Sequence, residues 1–73
     1  MPYEVIVELK PEVLDAEGRA ISESLKRLGH KDLGGVKVSK RFELDLADET
    51  AATEIAQRYL ANPVSETFTV RKL

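Results

Sequence analysis

The chain has no cysteine and no tryptophan, one histidine, and only two tyrosines and two phenylalanines among 73 residues. Without cysteine there is no disulfide to staple a small fold and no thiolate to act as zinc ligand or nucleophile. A single histidine excludes a histidine-rich metal centre. An aromatic content of 5% leaves no strand with the paired rings on which single-stranded bases stack. Positive charge is also short: 11 Lys and Arg face 13 Asp and Glu, for a net charge of −2. A nucleic-acid binder ordinarily carries a basic patch or stripe, so none is expected as partner. No apolar run approaches the ~20 residues that cross a bilayer, and there is no secretory signal pattern. The cytoplasm is the expected location, with no membrane contact.

What remains is an ordinary globular balance, 42% apolar and 33% charged, and one domain over residues 1–73 is expected. A domain this small buries little of its surface and is marginal alone. With disulfides and metal excluded, a partner chain is the remaining source of stability, and self-association is the first expectation.

The chain is organised around the stretch from Leu9 to Gly18, where a strand ends, a proline turns the backbone and a capped helix begins. Tyr3 to Lys10 alternates, with Tyr3, Val5, Val7 and Leu9 on a core face and Glu4, Ile6, Glu8 and Lys10 on a mostly solvated one. Pro11 cannot donate to a ladder and ends the strand. Asp15 is a good N-cap for a helix reaching about Leu28, with Glu17 in its first turn, Lys26 and Arg27 in its last, and Gly29 closing it. Ile21, Leu25 and Leu28, widened by Ala20, form its apolar stripe. Gly18 lies inside this helix at a cost of ~1 kcal/mol against alanine. Close packing against that turn is the favoured reason. An anion site is the other, opposed by the charges of Asp15 and Glu17.

His30 to Gly35 reads as a loop, its histidine solvated and its Gly34-Gly35 pair lacking the spacing of a phosphate loop. Val36 to Leu46 reads as a long strand with Val36, Val38, Phe42, Leu44 and Leu46 on one face. At ~3.3 Å per residue it would span about 36 Å, against a radius of gyration of about 11 Å for a compact chain of this length. Either it bends or its far end pairs with another molecule. Lys40 interrupts the apolar face. A bulge, or a stem on the core with its ammonium in water, is weighed against an inward charge that guards an edge or meets an acidic partner.

Asp48 caps a second helix with Glu49 in its first turn. Ala52, Ile55, Ala56 and Tyr59 are its expected buried stripe, extended by Leu60, and Asn62-Pro63 ends it. Glu66 to Leu73 is the last strand, with Phe68 and Val70 on one face and a charged edge at Arg71-Lys72. The expected fold class is α+β, in the order β-α-β-α-β, with a long second strand and helices packed on one face of the sheet. Helical crossovers would make the strands parallel. A split β-α-β arrangement would then leave gaps too many for this chain to fill, so the sheet is expected to be completed by dimerisation.

No serine–histidine–acid set is placed by spacing, and no catalytic, cofactor-binding or metal residue is assigned. Glu4 and Glu8 supply too few oxygens for a hard cation. Binding or assembly is the expected role. A dimeric small-metabolite sensor of the ACT type is an alternative, and an RNA-binding α+β domain is disfavoured by the acidity.

The run Lys10-Pro11-Glu12-Val13-Leu14-Asp15-Ala16-Glu17-Gly18, with Ala20, resembles the start of the PurS family, the small subunit of phosphoribosylformylglycinamidine synthase. Leu25-x-x-Leu28-Gly29, Val36-x-Val38-Ser39-Lys40-x-Phe42-x-Leu44, and Leu60-Ala61-Asn62-Pro63-Val64 with Glu66 are similar to that family in the same order. Ala16, Ser39 and Ser65 depart from its usual residues. The resemblance implies a PurS-like dimer or larger assembly without catalytic residues of its own. Its implied partners are a large synthetase subunit, which holds ATP and Mg, and a glutaminase subunit that releases ammonia. Val38, Lys40, Phe42 and Leu44 would carry self-pairing; Leu14, Asp15 and Gly18, and Asn62 and Pro63, would shape contacts with the larger subunits.

Overall fold

A computed structural model describes residues 2–73. The order is β1 (Pro2–Leu9), α1 (Ala16–Arg27), β2 (Ser39–Asp45), α2 (Glu49–Ile55) and β3 (Glu66–Lys72), with a π-helical turn over Ala56–Leu60 continuing α2. The fold is α+β, as its residue patterns imply. The three strands lie in the order β2-β1-β3, and β1 is antiparallel to both neighbours.

The expectation of parallel pairing through α1 is therefore corrected. The helical excursion between β1 and β2 brings the chain back in the opposite direction. β2 and β3, joined by α2, run parallel to each other without pairing, and β1 fills the gap between them. A second copy is not needed to close that gap; what the sheet leaves open, among the described residues, is its two edges, β2 and β3.

The register runs without interruption from Pro2 opposite Asp45 to Glu8 opposite Ser39. No bulge lies at Lys40, which faces the same way as Phe42 and Leu44 and sits opposite Val7. The second strand is shorter than its apolar alternation: it begins at Ser39, and residues 36–38 belong to no ladder.

The core lies between the sheet and α2. Val5 and Val7 on the central strand are fully buried, as are Ala52 and Ala56, with Phe42, Leu44, Leu60, Phe68 and Val70 packed around them. The alanines let the helix axis approach the strands closely. Asp48 caps α2, accepting from the Thr50 N–H at 3.0 Å.

The buried stripe of α2 ends differently from its α-helical spacing. Ala61 donates to the Ala56 carbonyl at 2.9 Å, an i to i+5 bond that widens the last turn. The wider turn rotates Tyr59 off the core face and brings Leu60 and Ala61 on to it. Tyr59 is 76% exposed and Ala61 only 9%, so Tyr59 is not a core residue.

The helices do not share one role. No residue of α1 belongs to the core cluster. With residues 28–38, which return from its far end, α1 forms an arm that projects from the sheet. The molecule measures 46 × 25 × 13 Å, with a radius of gyration of 15.2 Å, against the ~11 Å of a compact chain of this length. The face of α1 turned inward carries Gly18 and Ser22. Its apolar stripe is largely outward: Ala20, Ile21 and Leu28 are exposed and only Leu25 is half-buried. Periodicity marks that stripe as core, but no described residue covers most of it. Gly29, with φ of 111°, takes the left-handed conformation that ends the helix.

Candidate functional site

Three surfaces stand out. The first is the elbow where the arm meets the sheet. Asp15 caps α1 by accepting from the Gly18 N–H through Oδ1 at 2.8 Å. Its other oxygen, Oδ2, accepts from the Val38 N–H at 2.9 Å. One carboxylate thus joins the outgoing and returning limbs of the arm, 23 residues apart. The Gly18 bond first, and then the Val38 bond, hold the Asp15 carboxyl below the usual range, against the opposing effect of burial. Gly18 is explained by the same junction. A Cβ there would lie within 3.0 Å of the Val36 carbonyl oxygen and 2.6 Å from Asp15 Oδ2. Close packing, not anion binding, is the role of this glycine.

Beside the elbow the end of the core face is partly open, half-buried at Leu9 and Val38 and exposed at Lys40. Val7, Leu9, Val38, Lys40 and Glu66 line a hollow of about 220 Å³ there. Lys40 and Glu66 bring opposite charges to the two flanking strands, and Lys40 is exposed rather than laid into the core.

The second surface is the sheet face without a helix. Glu4 lies there on β1, between Arg41 on β2 and Arg71 on β3. The Arg41 Nε donates to Glu4 Oε1, Arg71 Nη2 lies 3.0 Å from Oε2, and Arg41 also reaches Glu43 at 3.2 Å. Strand alternation assigns Glu4 to solvent, yet it is only 9% exposed, because the two guanidinium groups close over it. Arg41 foremost, with Arg71, holds its carboxyl below the ordinary range despite burial. Glu8 is exposed on the same face. Among the described residues no group of three or more His, Cys, Asp or Glu could hold a metal ion.

The third surface follows α2. Tyr59, Pro63 and Val64 are exposed. The link is nevertheless built rigidly: Asn62 N–H donates to Glu66 Oε1 at 2.7 Å, Val64 N–H to Asn62 Oδ1 at 2.9 Å, and Lys10 Nζ to the Pro63 carbonyl at 2.9 Å. The structure thus groups Leu14, Asp15, Gly18 and Val38 at the elbow with Lys40 nearby. It places Phe42 and Leu44 on the half-buried core face, and Asn62 and Pro63 on a separate link. Tyr59 and Arg41 are the surface residues that strand and helix patterns alone do not single out.

Exposed surfaces on a small α+β sheet are a description many folds could meet; sequence kinship narrows it. The PurS profile, described as phosphoribosylformylglycinamidine (FGAM) synthase, matches residues 2–73. The chain belongs to the PurS family. A PurS subunit of phosphoribosylformylglycinamidine synthase from Mycobacterium leprae is 42% identical over 71 residues, covering 93% of this chain and 90% of that one. The crystal structure of PurS from Methanocaldococcus jannaschii, one of the subunits of formylglycinamide ribonucleotide amidotransferase in the purine biosynthetic pathway, superposes with a TM-score of 0.87. It is 28% identical and the match covers 96% of this chain and 92% of that one. PurS from Thermus thermophilus in its P21 form is 34% identical over 100% of this chain and 99% of that one, with a TM-score of 0.67. In the present PurS chain no helix among the described residues is long and apolar enough to cross a membrane.

Proposed function

We propose that this PurS chain is a non-catalytic assembly subunit of FGAM synthase. It pairs with a second copy through its arm and holds a synthetase subunit and a glutaminase subunit in register for ammonia transfer. The complex would convert formylglycinamide ribonucleotide, glutamine and ATP to the amidine, with ATP and Mg held by the large subunit, in the cytoplasm. The observation that carries this reading is surface area. The chain exposes 5501 Å², whereas a compact monomer of 8.1 kDa exposes about 4,500 Å². The excess of about 1,000 Å² is near the ~800 Å² that each partner buries in a standard interface. Leu14, at the base of the arm, and Ile21 and Leu28 on it are exposed apolar residues.

The role of the Leu60–Val64 link, with Tyr59, is contact with a larger subunit. Tyrosine on a rigid support is a common anchor of protein interfaces. Sedimentation equilibrium tests the self-association. A dimer at micromolar concentration that Leu28→Asp converts to a folded monomer supports it; a wild-type monomer overturns it. Omission of the chain from the reconstituted complex tests the coupling. Glutamine-dependent synthesis should fall further than ammonia-dependent synthesis, and equal losses would refute that role. A tight amino-acid site on the isolated chain by calorimetry would favour a sensor instead.

A further inference from the structure

The arm is attached to the body of the molecule by very little. Among the described residues, no hydrogen bond or salt bridge joins residues 16–37 to the sheet or to α2. The bonds of the arm are internal: Arg19 to Glu23, Arg27 to Ser24, and the turn in which His30 donates to the Leu25 carbonyl. Two covalent crossings connect it to the sheet, one on each limb. At those crossings stands Asp15, whose two oxygens hold the two limbs together. Gly18 lets them approach until the Val36 carbonyl fills the space of its missing side chain.

We infer that Asp15 is the latch of a hinged arm: by binding Gly18 and Val38 at once, it fixes the angle at which α1 leaves the sheet, and so the geometry in which two chains can associate. The inference rests on the self-association reading above. A helix cap needs only one acceptor. The second oxygen serves a backbone amide outside the helix, which a cap alone does not require. Without it the returning limb would keep its covalent tether and its packing against Gly18, but no hydrogen bond to the junction. The arm would then sample many angles, and association would lose the contribution of a preorganised surface.

The test separates latch from cap. Asp15→Ser retains a good helix cap but has one side-chain oxygen, which cannot serve both amides; Asp15→Ala removes both contacts. The absence of native cysteine allows spin labels at Lys26→Cys on α1 and Glu54→Cys on α2, both exposed. The doubly labelled chain is diluted in unlabelled chain so that the intrachain distance is read. With Asp15 present, one narrow distance distribution is expected. With Asp15→Ser it should broaden, and the dimer dissociation constant should rise about tenfold, the scale of one lost hydrogen bond to a charged group. Amide exchange in β1 should be unchanged. If Asp15→Ser matches the parent in both distance width and association, Asp15 is only a cap and the inference is overturned. If the parent chain is itself a monomer, the self-association reading fails, while the distance distribution still decides the latch.

Discussion

Gly18→Ala sets two physical rules against each other. Gly18 is the third residue of α1, and alanine in a helix interior is favoured over glycine by ~1 kcal/mol. On propensity alone the substitution stabilises. The structure predicts the reverse. The added methyl would approach the Val36 carbonyl closer than 3.0 Å and stand 2.6 Å from Asp15 Oδ2, where ordinary contact begins at 3.4 Å. The Val36 oxygen is backbone and cannot rotate away, so the returning limb must shift. Overpacking of this kind costs ~1–3 kcal/mol, and displacing Asp15 also weakens its bond to Val38. The net effect is a destabilisation of about 1 kcal/mol, concentrated in the arm. Lys26→Gly measured against Lys26→Ala, at an exposed polar position of the same helix, calibrates propensity alone and should cost about 1 kcal/mol. Amide exchange resolved by residue is the assay, at fixed protein concentration because association contributes to stability. Exchange in α1 should accelerate in Gly18→Ala, and in Lys26→Gly relative to Lys26→Ala. Slower exchange in Gly18→Ala, by the factor that propensity implies, would refute the close approach of the two limbs.

The remaining expectations concern the sheet, its charges and the link. Val5→Ala, at a fully buried site on the central strand, should cost about 2 kcal/mol in urea unfolding, while Val64→Ala, on the surface, should stay within ~0.5 kcal/mol. Glu4 has its carboxyl lowered by Arg41 and Arg71, so the unfolded chain takes up the proton first as pH falls. Its stabilisation is complete well above the ordinary carboxyl value of about 4.3 and is lost as pH drops through the lower folded value. Glu4→Gln should therefore flatten the fall in urea midpoint below pH 5, and an unchanged slope would count against the Arg41–Glu4–Arg71 bridge. Tyr59→Ala should leave self-association intact and reduce recovery of the synthetase subunit in a pull-down; equal recovery would remove the link from that interface.

How much of this was legible in the sequence depends on the range of the force involved. As helix caps, Asp15, Asp48 and Gly29 act on residues within a turn of themselves, and those capping roles follow from spacing. The alternation of Tyr3, Val5 and Val7 identifies a core face because period two is intrinsic to a strand. Strand direction is not local: nothing in α1 specifies that the chain returns antiparallel. Glu4 looks like a solvated residue until Arg41 and Arg71 arrive from distant parts of the chain. The stripe of Ile21, Leu25 and Leu28 shows that the helix has an apolar side, but not that most of it stays exposed. Tyr59 was misplaced because a turn of i to i+5 spacing has no marker in a short alanine-rich segment. Of the candidate site, Gly18 and Asp15 were visible as a unit; the bond to Val38, which joins two segments 23 residues apart, was not.

The central position of β1 has a consequence for how the molecule is made. It is synthesised before both of its neighbours, residues 39–45 on one side and residues 66–72 on the other. Tyr3 meets Lys72, so that ladder cannot close until β3 has followed, on the order of ten seconds later at ordinary elongation rates. During that interval the edge of Val5, Ile6 and Val7 that will meet β3 has no partner, and Glu4 and Glu8 on either side act as gatekeepers against misassembly.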